Sequence, residues 1–586
     1  MKGIKILLLG FLVFLFSCKS NDKNSNTIEK HYMLVESIPA EEILKKIPDL
    51  AAYAELMKNS LKAKPPILKI EDKDLKDEKE RKAQIIAIQN SDFIRDVYHP
   101  ENGAALRNEI MSVGVADPSE IPSGVQCNPG DCYRVLMYNY YYNSSVIAFV
   151  DIAKGVVTNI KRVIDAEAEL NTRINNLAID IALSYDEVRN TLKLSDNDIT
   201  KNKSKLKITI NKTKCERSKH LCIGPTFYNE DSKIVVWTIV DMTDWKLNGL
   251  AWAETKNADN KITEIEVQNE FVMSHFCEME NDTSLGKWKI KYRIIGSDGL
   301  EVYDVQFKGN PIINSSKIVD WHVSYLNKPG VGYSDATGCP MFSAAAVVAF
   351  GGPFVEDIKD NKGKKTGNAF IQDFRSPIWP AMCNYRYQSR FEFYDDGKFR
   401  IMGVNHGKGC DDSAVYKPVF RIDLNLGNKA KFAEWNGTSW NTWGKENWTE
   451  QKKSKLTKEG YWFKMTDDKN KGYYLIPDYG QYGKSGRGDN AYVYVSKDKN
   501  LPEEGTEDMV TIGECCRYDY KQGPEKFLIP ADNIDGEKMI LWYVPMMYND
   551  MRPGHEYCWA YMVPNDGKLE VKTWPGNIGP MFVPIN

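Results

Sequence analysis

Histidine is scarce in this chain, with seven in 586 residues, and neither a CxxC…CxxC nor an HxxxH pattern occurs. That excludes the common zinc frameworks read from spacing. No charge of one sign dominates: 77 Lys and Arg stand against 80 Asp and Glu, a formal net charge of −3. A chain so balanced carries no polyelectrolyte signal for nucleic acid. A Gly-rich phosphate loop, a G-x-S-x-G elbow and a regular strand–helix alternation are also lacking, which argues against nucleotide-binding and hydrolase α/β folds. Aromatics are plentiful instead: 31 Tyr and 14 Trp, with Phe bringing the total to 11%, favour extended sheet over helix.

The first residues have a character of their own. Met1-Lys2-Gly3-Ile4-Lys5 is followed by an apolar run from Ile6 to Phe16 and then Leu15-Phe16-Ser17-Cys18. The run is too short to span a bilayer, and the pattern is that of a lipoprotein signal peptide over 1–17 with a lipobox cysteine. Cys18 is then the lipidation site, and its acyl chains hold the protein on a membrane of the bacterial envelope, at the outer membrane or cell surface. Residues 18–35 continue as Lys-Ser-Asn-Asp-Lys-Asn-Ser-Asn and similar polar sequence, expected to be a tether.

The remaining length calls for three or more domains. Residues 36–94 predict a helical region: Ile43, Leu44, Ile47, Leu50 and Tyr53 recur at three-to-four spacing, Pro65-Pro66 interrupts, and a charged helix follows over 72–89. Residues 95–165 predict a first small α+β domain with a hairpin of Tyr133–Tyr142 and Val146–Ile152. A second such domain is expected over 166–268, with a helix from Ser184 and strands at 206–211, 233–241 and 250–256. From 269 to 586 strands and turns dominate. Ser297-Asp298-Gly299 and Asp395-Asp396-Gly397 each sit between alternating runs, marking hairpins of a large antiparallel β-sandwich. The fold class is thus mainly β with α+β. Cys127 with Cys132 and Cys215 with Cys222 are close enough in sequence to form disulfides in an oxidising compartment, and Cys515-Cys516 are ordinary thiols or disulfide halves.

Three stretches of the β-rich half resemble copper amine oxidases. The segment from Tyr292 to Ile312, containing Gly299-Leu300 and Gly309-Asn310-Pro311-Ile312, is similar to the strand pair that opens that family's catalytic domain. The segment Phe374 to Tyr387, with Asn384-Tyr385-Arg386-Tyr387 followed by Phe391-Glu392-Phe393 and Asp396-Gly397, resembles the strand bearing the Asn-Tyr-acidic-Tyr motif. Val419 to Asn425 resembles the Arg-x-Asp strand through Arg421-Ile422-Asp423. The resemblance implies that the two α+β units are cystatin-like, and it implies a substrate funnel and a homodimer. Tyr385 would be the topaquinone precursor and Asp335, in Asp335-Ala336-Thr337-Gly338, the proton-abstracting base. In the family, copper held by three imidazoles matures the quinone, which then oxidises primary amines to aldehydes with release of ammonia and hydrogen peroxide.

This chain departs from that pattern at the metal. The register of the family's His-x-His falls on Ala414 and Tyr416, and the strand Leu541-Trp542-Tyr543-Val544 is followed by Pro545-Met546-Met547-Tyr548-Asn549 where the third histidine belongs. The acidic position after the precursor tyrosine holds Arg386. Of the histidines in the resembling half, His275, His322, His406 and His555, a shifted ligand set would draw on His406, with Cys410 or Asp411, and on His555. The leading expectation is therefore a degenerate fold without metal or cofactor, serving as a binding or surface module for an unidentified ligand. The rival is a divergent primary-amine oxidase with copper and topaquinone. A third reading makes Trp435, Trp440, Trp443 and Trp448 a glycan- or protein-binding surface on an unrelated sandwich.

Overall fold

The computed structural model describes residues 28–128, 130–164, 169–194, 206–258, 261–328, 331–340, 347–451, 456–477, 489–499 and 528–585. The leader with Cys18, and Cys515-Cys516, lie outside the described residues. Among the described residues no helix is long and apolar enough to cross a membrane. Antiparallel sheet dominates.

The first α+β unit is a four-stranded sheet, Asn108–Val115, Cys132–Asn139, Ser144–Asp151 and Val156–Ile164 in sequential order, under the helix Glu78–Gln89. Asp77 caps that helix by accepting from the Glu80 N–H at 2.9 Å, and Glu78 and Glu80 place negative charge in its first turn. Its apolar side, Ala83, Ala87 and Ile88, joins Ile110, Val135, Met137 and Ala148 in one core. The helix expected to belong to a separate N-terminal region is thus the helix of this unit. Chain proximity of the charged stretch to Pro65-Pro66 concealed that ownership, which packing decides.

The second unit differs from expectation in three places. Its principal helix is Thr172–Leu183, capped by Asn171, and the helix predicted from Ser184 is the short Asp186–Thr191. The strand Leu221–Asn229 completes a sheet with Leu206–Lys214, Ile234–Asp241 and Lys246–Glu254. The fifth strand is His31–Leu34, which pairs along Lys246–Glu254, so the last residues assigned to a tether are an edge strand. Helices cover both faces. Ile174, Leu177 and Ile181 pack with Ile223, Phe227 and Val236 on one side, joined by Ile43, Leu50, Tyr53 and Met57 from Ala40–Lys46 and Pro48–Ser60. On the other side Val267, from the helix Glu264–His275, meets Trp237 and Ala251. A domain boundary at 268 would cut that helix.

The C-terminal body is two facing sheets of ten and twelve strands. The ten-stranded sheet runs through Trp288–Ile294, Leu300–Phe307, the long Asn310–Tyr325, Ala414–Leu424 and Met539–Val544. The twelve-stranded sheet runs through Lys365–Arg375, Arg386–Tyr394, Phe399–Asn405 and Met581–Ile585. Both Asp-Gly turns fall where expected, between Trp288–Ile294 and Leu300–Phe307 and between Arg386–Tyr394 and Phe399–Asn405. Rings from the two inner faces meet across the gap: Trp288 lies 5.0 Å from Phe393, and Trp321 stacks on Tyr387 at 4.1 Å with planes 3° apart. Each such ring removes roughly 150–250 Å² from water, on the order of 4–6 kcal/mol at about 25 cal/mol per Å².

A two-stranded ribbon, Trp559–Asn565 with Lys568–Trp574, leaves this body and joins both α+β units. Its turn is received by Arg107, whose N–H donates to the Gly567 carbonyl at 2.8 Å and whose Nε donates to the Asp566 carbonyl at 2.7 Å. Arg107 Nη1 also reaches the Thr243 carbonyl, and Lys568 pairs with Asp244, so one ribbon ties three units together. Gly567 has φ +71°, and a Cβ there would lie 2.6 Å from the Arg107 nitrogen, so the close approach requires glycine. Disulfides link Cys127 to Cys132, Cys215 to Cys222, Cys277 to Cys339 and Cys383 to Cys410.

Candidate functional site

Alternation along Asn310–Tyr325 turns Trp321, Val323 and Tyr325 inward. The neighbouring strands continue the same face. Asp335 lies opposite Trp321, Tyr416 opposite Val323, and Ala414 opposite Tyr325. From the facing sheet come Tyr385, at the entrance to Arg386–Tyr394, and Tyr387 within it. The structure therefore brings Tyr385, Asp335, Ala414 and Tyr416 into one buried cluster, together with Tyr325, Tyr387 and Trp321.

The contacts inside it are specific. The Tyr385 and Tyr325 hydroxyls lie 2.8 Å apart, either one able to donate, and Tyr325 also accepts the Cys410 N–H at 2.9 Å. The Tyr387 hydroxyl donates to Asp335 Oδ2 at 2.8 Å. The Tyr385 ring stacks on Tyr387 at 5.5 Å and meets Tyr416 edge-on at 6.1 Å. Gly409 completes the wall, because a Cβ there would come within 2.6 Å of the Tyr416 hydroxyl. The Cys383–Cys410 disulfide joins the two loops that carry Tyr385 and Gly409.

Burial sets the protonation states. It pushes the Tyr385, Tyr387 and Tyr416 phenols well above their ordinary value, with neighbouring phenols and Asp335 adding to the effect. All three are therefore neutral donors at physiological pH. Burial raises the Asp335 carboxyl to about 7, with Asp320 reinforcing the shift and the Tyr387 hydrogen bond opposing it. This carboxyl can take up or release a proton near neutrality.

The donors for a three-imidazole copper site do not converge here. All seven histidines are among the described residues. Ala414 offers a methyl group and Tyr416 a phenol, while the position opposite Tyr416 on the adjoining strand is Met547, against which Cys558 packs with its sulfur 3.9 Å from the thioether. His322 lies 3.2 Å from Asp320, and His275 and His555 are exposed. The ring of His406 is in the field of Arg386, Arg375 and Asp373. Among the described residues the one close group of three His, Cys, Asp or Glu donors is His220, Asp241 and Asp244, in the second α+β unit. There Lys246 and Lys568 already pair with Asp244.

The tryptophan group divides. Trp443 is buried against Phe432 and Phe463, and Trp448 packs on the outer layer. Trp435 and Trp440 are half-buried and pack on one another at 5.4 Å. A separate cleft of about 670 Å³ opens in the α+β half between Pro48–Ser60 and Thr172–Leu183, with Tyr53 and Arg173 in its lining. It does not include the Tyr385 cluster, whose rings fill their own space. Sequence reasoning missed Tyr325 and Trp321, and it gave Tyr387 as a motif residue without its bond to Asp335. Their signal is the period-two spacing of 321, 323 and 325 and of 385 and 387, which places each set on one face.

No protein-family model matches the chain, and no curated protein matches it. Solved structures similar to it include a copper-containing benzylamine oxidase from Hansenula polymorpha, at TM-score 0.32 and 11% identity over 88% of this chain and 97% of that one. The lysyl oxidase of Pichia pastoris gives 0.31 and 11% over 87% and 89%, and the amine oxidase of Aspergillus nidulans 0.29 and 12% over 86% and 87%. Similarity of that degree carries no argument about this chain. The residues of the site have to carry it.

Proposed function

We propose that this protein is an envelope lipoprotein, anchored through lipid on Cys18, whose sandwich is a distant copper amine oxidase-like module that binds a ligand without assembling that family's cofactor. The observation that carries the reading is the setting of Tyr385. Its hydroxyl is engaged by Tyr325 at 2.8 Å and its ring is boxed by Tyr387 and Tyr416, while Ala414 and Tyr416, which the sequence resemblance sets where the family has imidazoles, offer a methyl group and a phenol. A tyrosine so placed contributes packing and a hydrogen bond. The test is production with copper under air, followed by metal analysis, quinone staining and the mass of the Tyr385 peptide. Absence of stoichiometric metal, no stain and an unmodified peptide are expected.

One observation favours a second reading, a divergent primary-amine oxidase. Asp335, raised to about 7 and hydrogen-bonded to the ring stacked on Tyr385, has the proton affinity that a general base requires. Bound copper together with a quinone mass shift at Tyr385 would establish this reading and remove the first.

A further inference from the structure

Arg386, between the inward Tyr385 and Tyr387, belongs to a second cluster. Arg375 and Arg386 are directly opposed on neighbouring strands, and the next strand leads to His406, whose N–H donates to the Arg386 carbonyl at 2.9 Å. The two guanidinium groups share a single carboxylate: Arg386 Nε lies 2.9 Å from Asp373 Oδ1, and Arg375 Nη2 lies 2.7 Å from Oδ2. A third arginine arrives from the second α+β unit. Arg217 stands 5.1 Å and Arg375 3.8 Å from the Phe350 ring centroid, while Arg375 and Arg386 lie 5.5 and 5.3 Å from the Trp379 ring.

Four nitrogens in this cluster are sealed from solvent without a hydrogen-bond partner: both ring nitrogens of His406, and Nε and Nη1 of Arg217. Each such group costs roughly 1–3 kcal/mol when left unmade, and native interiors rarely contain several together. The arginine nitrogens are donors only, so the missing partner is an acceptor. The local carboxylates do not supply it. Asp373 is taken by Arg375 and Arg386, Glu264 accepts the backbone N–H of Arg217 at 2.9 Å and the Asn248 amide at 3.2 Å, and Glu216 acts on Arg217 only through its field, its buried Oε2 making no hydrogen bond, while Arg217 Nη2 donates to Asn269 Oδ1 at 2.6 Å. Burial, reinforced by Arg375 and only partly offset by Glu264 and Glu216, pushes the Arg217 guanidinium down to about 10.

We propose that Arg217, Arg375, Arg386 and His406 frame a binding site for a small oxyanion, a phosphate or a carboxylate, at the junction of the second α+β unit with the sandwich. Forked guanidinium donors suit such groups, and the Phe350 and Trp379 rings hold the forks in place. The test is the melting temperature of the soluble body, residues 19–586, titrated with inorganic phosphate, sulfate and acetate at an ionic strength fixed with sodium chloride. A rise that sets in near the dissociation constant and then grows with the logarithm of anion concentration is expected with at least one of the three, since a ligand bound to the native state alone stabilises it by RT ln(1 + L/Kd), where L is the free anion concentration. Arg386→Gln is expected to move the onset of that rise to at least tenfold higher anion concentration, and Arg217→Gln serves if that variant does not fold. A larger response to phosphate or to acetate identifies the class. A melting temperature unmoved by all three anions at that fixed ionic strength, as it would be if buried water fills the site, overturns the proposal, as does an undiminished response in both variants.

Discussion

The Tyr387 hydroxyl donates to Asp335 Oδ2 at 2.8 Å behind the Trp321 ring that stacks on Tyr387, so the carboxyl is buried with a hydrogen-bond partner. Burial holds its acid form to about pH 7 in the folded chain, against about 4 when unfolded. The folded state therefore binds more protons between those values, and Asp335 contributes stability at low pH that is lost as pH rises through about 7. Asp335→Asn is expected to remove this slope, worth up to roughly 4 kcal/mol between pH 4 and 8. Urea midpoints of both proteins across that range provide the measurement; parallel profiles would contradict the assignment.

Tyr325 and Tyr385 are unequal partners. Removing the Tyr385 hydroxyl leaves Tyr325 still bonded to the Cys410 N–H, whereas removing the Tyr325 hydroxyl strands both Tyr385 and that N–H. Tyr385→Phe is expected to cost about 1 kcal/mol and Tyr325→Phe about 2–3 kcal/mol. Denaturant unfolding of the two single variants checks the order, and an equal loss would show that the shared contact does not form.

At the ribbon turn, Gly567→Val introduces a side chain against the Arg107 backbone at positive φ. The expected result is release of the 559–574 ribbon from the α+β units with the sandwich intact. Amide exchange should show lost protection over 559–574 and around Arg107, with unchanged protection in Arg386–Tyr394.

His220, 2.7 Å from Asp241 and next to the Asp244 that receives Lys568, sits at the base of the same junction. Its pKa is raised: burial works against the charged form, but Asp241 and Asp244 outweigh it. Stability from the charged imidazole is full below about 6.5, the unfolded value, and is lost as pH rises through the elevated folded value. His220→Gln is expected to lose about 1.5–3 kcal/mol at low pH and little at pH 9. A loss that is the same at both ends would contradict a charged His220.

The disulfides differ in reach. Cys277–Cys339 spans 62 residues and Cys127–Cys132 five. Loop-closure entropy assigns them about 4 and about 2 kcal/mol respectively. Paired serine variants should lose stability in that order.

Local patterns in the sequence were enough for local structure. The hairpins at Asp298-Gly299 and Asp396-Gly397, the helices around Ile43 to Tyr53, and two close cysteine pairs all follow from neighbours in the chain. What escaped was set at a distance. His31–Leu34 is a strand because Lys246–Glu254 offers an edge, which nothing near residue 31 announces. Cys277 meets Cys339, and Cys383 meets Cys410, through sheet register. At the site, the resemblance singled out Tyr385 and Asp335, but the company they keep depends on two sheets facing one another.

Met581–Ile585 is the latest of the described strands along the chain, yet it lies between Phe399–Asn405 and Gly472–Ile476, well inside the twelve-stranded sheet. Until it arrives, the two portions of that sheet expose open edges to one another and to any other chain nearby. A polypeptide emerging N-terminus first therefore waits on residues 581–585 before the twelve-stranded sheet can close. Early truncation should yield an aggregating product rather than a smaller soluble one.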